Sequence, residues 1–125
     1  MSLNDSVIDR YIAIWNENDP EKRRDLVGWA FAEDATYQDP ILVGDGHVGL
    51  NEMFGAAQAQ LPGARLTLMG EPDAHHDWVR FRWQIIMPGE TDSLIEGTDL
   101  GRIGPDGRFE EMIGFLDKVP AALLA

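Results

Sequence analysis

Ala35-Thr36-Tyr37-Gln38-Asp39-Pro40-Ile41 is a short β-type run that ends in a carboxylate directly before proline. Alternate side chains on a strand share a face, so Ala35, Tyr37 and Asp39 point one way while Thr36 and Gln38 point the other. An acid is thereby set among apolar neighbours. Proline holds the preceding residue extended and removes a ladder donor, so the strand is expected to stop here, at a sheet edge or a cavity rim. Asp39 is also a residue type that starts a turn, and this stretch alone leaves both roles open.

Upstream, Ile8, Tyr11, Ile12 and Trp15 recur at helical spacing, widened by Val7 and Ile14, with Asp5 or Ser6 able to cap the helix. It ends in Asn16-Glu17-Asn18-Asp19-Pro20, where Asp19 caps and Pro20 opens a second helix running to about Trp29. Glu21, Lys22, Arg23, Arg24 and Asp25 give that helix a solvated face. Downstream, Val43-Gly44-Asp45-Gly46 reads as a turn-rich link into a third helix carrying Leu50, Met53, Phe54, Ala57 and Leu61, broken by Pro62-Gly63. From Arg65 the period changes to two. Leu66 to Glu71, Trp78 to Met87, Leu94 to Ile103 and Phe109 to Leu116 read as strands joined by short Pro-, Gly- and Asp-containing links. Such links make an antiparallel meander, and helices packed on one face of it give an α+β domain.

The chain of 125 residues, 44% of them hydrophobic, suits one domain, spanning 1–125, with a real core. Lys and Arg number 10 against 22 Asp and Glu, a net charge of −12 that argues against nucleic acid or an anionic membrane as partner. Cysteine is absent, which excludes disulfides, thiolate metal sites and cysteine nucleophiles and is compatible with a reducing compartment. With no signal-like N-terminus and no apolar run of the roughly 20 residues that span a bilayer, the expectation is a soluble, cytoplasmic protein.

A second acid, Asp99, sits in a strand on a face otherwise made of Ile95, Gly97, Gly101 and Ile103. Buried, it would need compensation and carry a raised pKa; if that face met water, it would need neither. Tyr11 lies in the apolar stripe of the first helix, so its hydroxyl needs a buried partner, and a carboxyl is a natural one. Trp15, Trp29, Trp78 and Trp83 read as core or cavity lining. No metal site is expected, because the side chains of His75 and His76 diverge and His47 offers no second ligand at useful spacing. Neither a phosphate-binding glycine loop nor a nucleophile elbow is present.

Three segments together carry a family resemblance: Ile8-Asp9-Arg10-Tyr11-Ile12-Ala13-Ile14-Trp15-Asn16, Phe31-Ala32-Glu33-Asp34-Ala35-Thr36-Tyr37-Gln38-Asp39-Pro40, and Thr98-Asp99-Leu100-Gly101-Arg102-Ile103 with Asp106-Gly107. They resemble the NTF2-like superfamily, especially its SnoaL-like and ketosteroid isomerase branches, over nearly the whole chain. The resemblance implies a cone, with a strongly bent antiparallel sheet wrapped around three helices and an apolar cavity near the helical end. It also implies roles: Asp39 of the Asp-Pro pair as general base, with Tyr11 and Asp99 as the oxyanion hole, and no cofactor or metal. The same features recur across SnoaL-like proteins with other activities or none.

On that basis the expected protein is an acid–base enzyme, isomerase- or cyclase-like, acting on a small apolar carbonyl compound. A pocket lined by Asp39, Tyr11 and Asp99 with Trp15, Phe54 and Phe115 is expected, Tyr37 and Trp83 adding to the ligand surface. The alternative is a non-catalytic ligand-binding or association domain. Arg80, Arg82 and Gln84 share one face of a strand whose other face is Val79, Phe81, Trp83, Ile85 and Met87. If the aliphatic face looks inward, the arginines lie outside; if the arginines look inward, the site resembles that of limonene epoxide hydrolases. Apolar residues on both faces of the last strand, Met112 and Leu116 against Phe109, Ile113 and Phe115, lead to the expectation of a homodimer through the outer sheet face.

Overall fold

The computed structural model describes residues 3–124. Its elements are α1 (Leu3–Trp15), α2 (Pro20–Ala30), β1 (Phe31–Gln38), β2 (Val43–Asp45), α3 (Gly46–Gln60), β3 (Arg65–His75), β4 (Trp78–Ile86), β5 (Ile95–Ile103) and β6 (Phe109–Lys118), with a 3-10 turn at Ala121–Leu123. The six strands form one curved, unclosed sheet in the order β2-β1-β6-β5-β4-β3, and the helices pack within its curve, giving the α+β cone that the resemblance implies.

α1 buries Val7, Ile8, Tyr11 and Ile14, the stripe its spacing predicts. It already contains Asp5 and Ser6, so neither is its cap. Asp19 does cap α2, its side chain accepting from the Glu21 N–H, and Pro20 occupies the first turn, where no N–H is needed. The far end of α2 is closed by side chains from elsewhere: Arg108 donates to the Gly28 carbonyl and Arg10 to that of Trp29. Cations there also complement the helix dipole.

Two residues of α2 overturn the simple amphipathic reading. Arg23, expected on a solvated face, is 6% exposed; it donates to Asn51 and Gln58 side chains and to the Glu17 and Asn18 carbonyls. A buried guanidinium with that many acceptors ties the α1–α2 loop to α3, which one-helix periodicity cannot reveal. Trp29, expected in the core, is 64% exposed.

The sheet departs from a pure meander at its first strands. β1 starts at Phe31 rather than Ala35 and lies parallel to β6, while β2, expected as a link, pairs antiparallel with β1 and takes the edge. β3 runs on through Pro72 to His75 as the opposite edge, with a register irregularity between Met69 and Asp73, where Gly70 has φ 72°. An edge strand tolerates such a proline because no partner needs its N–H. β6 carries another irregularity near Glu110: Arg102 pairs with Glu111 but Ile103 with Phe109. The extra residue brings Phe109 and Met112 to the same inner face. The alternation that follows then turns Phe115 outward, 57% exposed, which corrects its expected place in the pocket.

Val79, Phe81 and Trp83 of β4 are buried, and Arg80 and Arg82 lie on the outer face, near Asp73 and Glu96 respectively. The arginines therefore do not line an inner cavity, and the epoxide hydrolase-like alternative loses the residues it required. Among the described residues no helix is long and apolar enough to cross a membrane.

Candidate active site

β1 ends at Gln38 and the chain turns at once. The Asp39 N–H donates to the Leu42 carbonyl at 2.9 Å, while Asp39 Oδ1 accepts the Ile41 and Leu42 N–H groups at 2.8 and 2.7 Å. Asp39 is thus a turn former. Its other oxygen, Oδ2, accepts the Tyr37 hydroxyl at 2.6 Å, a bond that the strand's period of two makes available, since residues 37 and 39 point the same way.

A second pair lies deeper. Tyr11 Oη donates to Asp99 Oδ2 at 2.6 Å, and the Trp83 indole Nε1–H donates to Asp99 Oδ1 at 2.9 Å. Asp99 is 1% exposed. Burial is the largest influence on it and raises its pKa from 3.8 to about 7, the bonds from Tyr11 and Trp83 pulling the other way and the Asp39 charge adding to the rise. Burial, followed by the Asp99 charge, also lifts both tyrosines well above their usual value, so Tyr11 and Tyr37 keep their protons and act as donors.

The glycines around Asp99 are spaces that other groups fill. A Cβ on Gly97 would overlap the Trp83 indole and approach the Phe115 carbonyl to 2.7 Å, so glycine lets Trp83 lie across β5 and reach Asp99. Gly114, paired with Asp99 across the sheet, is the floor shared by both acids: a Cβ there would sit 2.9 Å from Asp99 Oδ1, 3.1 Å from Asp39 Cβ and 3.5 Å from the Tyr37 hydroxyl. Both acids and the Tyr37 hydroxyl therefore adjoin Gly114 on the inner face of the sheet.

Beside them is a cavity of about 440 Å³. Its wall is largely aliphatic, with Leu42, Leu61, Leu66, Ile85, Ile95 and Leu116 among its residues, and among the described residues Asp39 is the one ionisable side chain in it. Trp15 and Trp83 also line it. Of the six side chains expected in one pocket, Asp39 and Trp15 are in this wall. Tyr11, Asp99 and Phe54 lie buried behind it, Phe54 edge-on to Trp15 with ring centroids 4.9 Å apart, and Phe115 is on the opposite face of the sheet. Tyr37 sits under Asp39 rather than in the wall, while Trp83 belongs to both the cavity and the Asp99 cluster. Among the described residues, Trp15 Nε1 is the buried side-chain polar atom without a hydrogen-bond partner.

The sequence led to the expectation of a carboxyl partner for the buried Tyr11 hydroxyl, and Asp99 is that partner. The family resemblance implied Tyr11 and Asp99 as co-donors to a ligand, whereas here the tyrosine donates to the acid. The Tyr37–Asp39 bond was not expected, although the signal for it is in the sequence, since both residues share a strand face two apart. Nothing in the sequence marked Trp83 as the second donor to Asp99, which depends on cross-strand register: Trp83 pairs with Gly97.

No protein-family model matches the chain, nor does any curated protein. Among solved structures, one described as a "putative isomerase of the SnoaL-like family" from Agrobacterium tumefaciens is 41% identical, with a TM-score of 0.88, covering 94% of this chain and 99% of that one. A "putative polyketide cyclase" from Sinorhizobium meliloti shares the fold at 19% identity and a TM-score of 0.67, over 91% of this chain and 99% of that one. An NTF2-like protein of unknown function from Exiguobacterium does so at 18% identity and 0.69, over 89% and 98%. With 41% identity along nearly its whole length to one of its members, this chain belongs to the SnoaL-like family of NTF2-like proteins.

Proposed function

We propose that the protein is an acid–base enzyme that moves a proton on a small apolar carbonyl compound, with Asp39 as the base. The observation that carries the reading is a lone ionisable carboxyl, held by three donors, in the wall of an otherwise largely aliphatic cavity. An apolar enclosure selects an apolar ligand, and a fixed acceptor beside it suits abstraction of a proton from carbon next to a carbonyl. Similar structures described as a "putative isomerase of the SnoaL-like family" and a "putative polyketide cyclase" support an enzyme reading.

A second reading, a ligand-binding module without turnover, is favoured by one feature. The Tyr11 hydroxyl and the Trp83 N–H are both spent on Asp99, so neither is free for an enolate oxygen in this arrangement. For Tyr11 and Asp99 to stabilise an oxyanion, ligand binding must reopen that cluster. The test is proton exchange from carbon and isomerisation or cyclisation across a panel of apolar ketones, with Asp39→Asn as control. The enzyme reading expects the variant to lose nearly all turnover while binding ketones as wild type does. Ketones bound but never turned over by wild type, and bound equally by Asp39→Asn, select the binding module.

The reading includes a homodimer through the outer sheet face. There Val43, Gln38, Ile113 and Leu100 follow one another across four strands, beside exposed Phe115. Sedimentation at micromolar concentration checks it, and a monomer throughout refutes it.

A further inference from the structure

We infer that Oδ2 of Asp39 is the atom that receives the ligand's proton and that Tyr37 is the residue that aims it. The chemistry of this inference rests on the acid–base reading above; its geometry does not.

A carboxylate has about four acceptor sites, two on each oxygen. Asp39 Oδ1 has both filled, by the Ile41 and Leu42 N–H groups of its own turn. Oδ2 has one filled, by the Tyr37 hydroxyl. The site left over is on Oδ2, and the side chain that bears it is in the cavity wall. Backbone donors fix Oδ1 as the anchored oxygen, so rotation of the carboxyl about its Cβ–Cγ bond is resisted at one end by the turn and at the other by the tyrosine.

Tyr37 is well built for the second task. Its ring is 2% exposed and meets Trp15 and Phe54 edge-on at centroid distances of 6.3 and 5.9 Å, so the phenol cannot swing away. Burial, then the charges of Asp99 and Asp39, keep its proton on, so it donates to Oδ2 throughout the working pH range. It does not line the cavity, which makes it a positioning residue. In the step itself the C–H bond beside the carbonyl breaks, its proton forms an O–H bond on Oδ2, and its electron pair passes to the carbonyl oxygen as an enolate. Return of that proton from Oδ2 to a different carbon gives the isomer and restores the carboxylate. Tyr37 keeps its own proton in both steps.

The test is Tyr37→Phe, which keeps the ring and removes the bond, with melting by circular dichroism as the check that the variant folds. In deuterium exchange of an apolar ketone followed by NMR, the expected result is kcat lowered on the order of 10²-fold, the cost of a misaimed group, with KM within about twofold of wild type. An independent readout is the ¹³C resonance of the Asp39 carboxyl, identified by its loss in Asp39→Asn, which should move in Tyr37→Phe. An unchanged kcat or an unmoved resonance overturns the inference. If wild type exchanges no ketone, the acid–base reading and the proton-acceptor role of Oδ2 fall together. The resonance then decides the aiming role alone, upheld if it moves and refuted if it does not.

Discussion

Tyr37–Asp39 and Tyr11–Asp99 are the same two functional groups joined at the same 2.6 Å, one pair at the cavity wall and one behind it. Around Asp39 the remaining donors come from its own turn, and the carboxyl borders open space. Around Asp99 the remaining donor is a tryptophan from the next strand, and the carboxyl is sealed off. What separates them is solvent: water can replace a lost partner at the wall and cannot reach the interior, so identical bonds carry different energetic weight.

The largest expected effect tests that sealing directly through pH. A carboxyl raised from 3.8 to about 7 on folding binds more protons folded than unfolded between those values. The stability this confers is complete below about pH 4 and is lost as pH rises toward 7. Asp99→Asn removes the dependence, so its stability relative to wild type should climb by up to roughly 4 kcal/mol between pH 4 and 8, at about 1.4 kcal/mol per pKa unit. Urea titrations at a series of pH values measure it; parallel curves for the two proteins would mean that Asp99 is not held protonated by burial.

Next in size is Gly97→Ala, which strikes the deep pair alone. The new methyl overlaps the Trp83 indole and approaches the Phe115 carbonyl, so a loss of about 3 kcal/mol is expected, at the upper end of overpacking costs. Because Trp83 must move, its near-ultraviolet signal should change with the stability, and a variant as stable as wild type would show that the indole does not need that space.

The smallest effects give the sharpest contrast. Tyr11→Phe strands Asp99 Oδ2 away from water and should cost about 1–3 kcal/mol. Tyr37→Phe leaves Asp39 beside the cavity, where water can bond to it, and should cost below about 1 kcal/mol. Denaturation curves measured side by side decide it, and equal losses would erase the distinction between the two pairs.

Periodicity made α1, α2 and α3 legible, along with β4, β5 and the sorting of Asp99 and Trp83 onto one face of their strands, because burial on one face imposes the spacing directly; which face looks inward was decided only by the fold. It failed at β6, where one extra residue near Glu110 reverses the phase and carries Phe115 outward. Arg23 was misplaced because its acceptors come from the α1–α2 loop and α3. β2 was missed because three residues containing glycine carry no alternation to read.

By itself the sequence determined the α+β class, the end of the strand at Asp39-Pro40 and the set of polar side chains that must find partners, since each follows from local stereochemistry or from the spacing of apolar residues. Only the tertiary structure decided which partners they find. Whether Tyr11 serves a ligand or Asp99, whether Trp83 donates across β5, and which acid borders the cavity depend on register between strands distant in the chain. They depend also on the room left by Gly97 and Gly114, and burial, which turns one of two like carboxyls into a group that titrates near neutrality, arises only when the sheet closes over it.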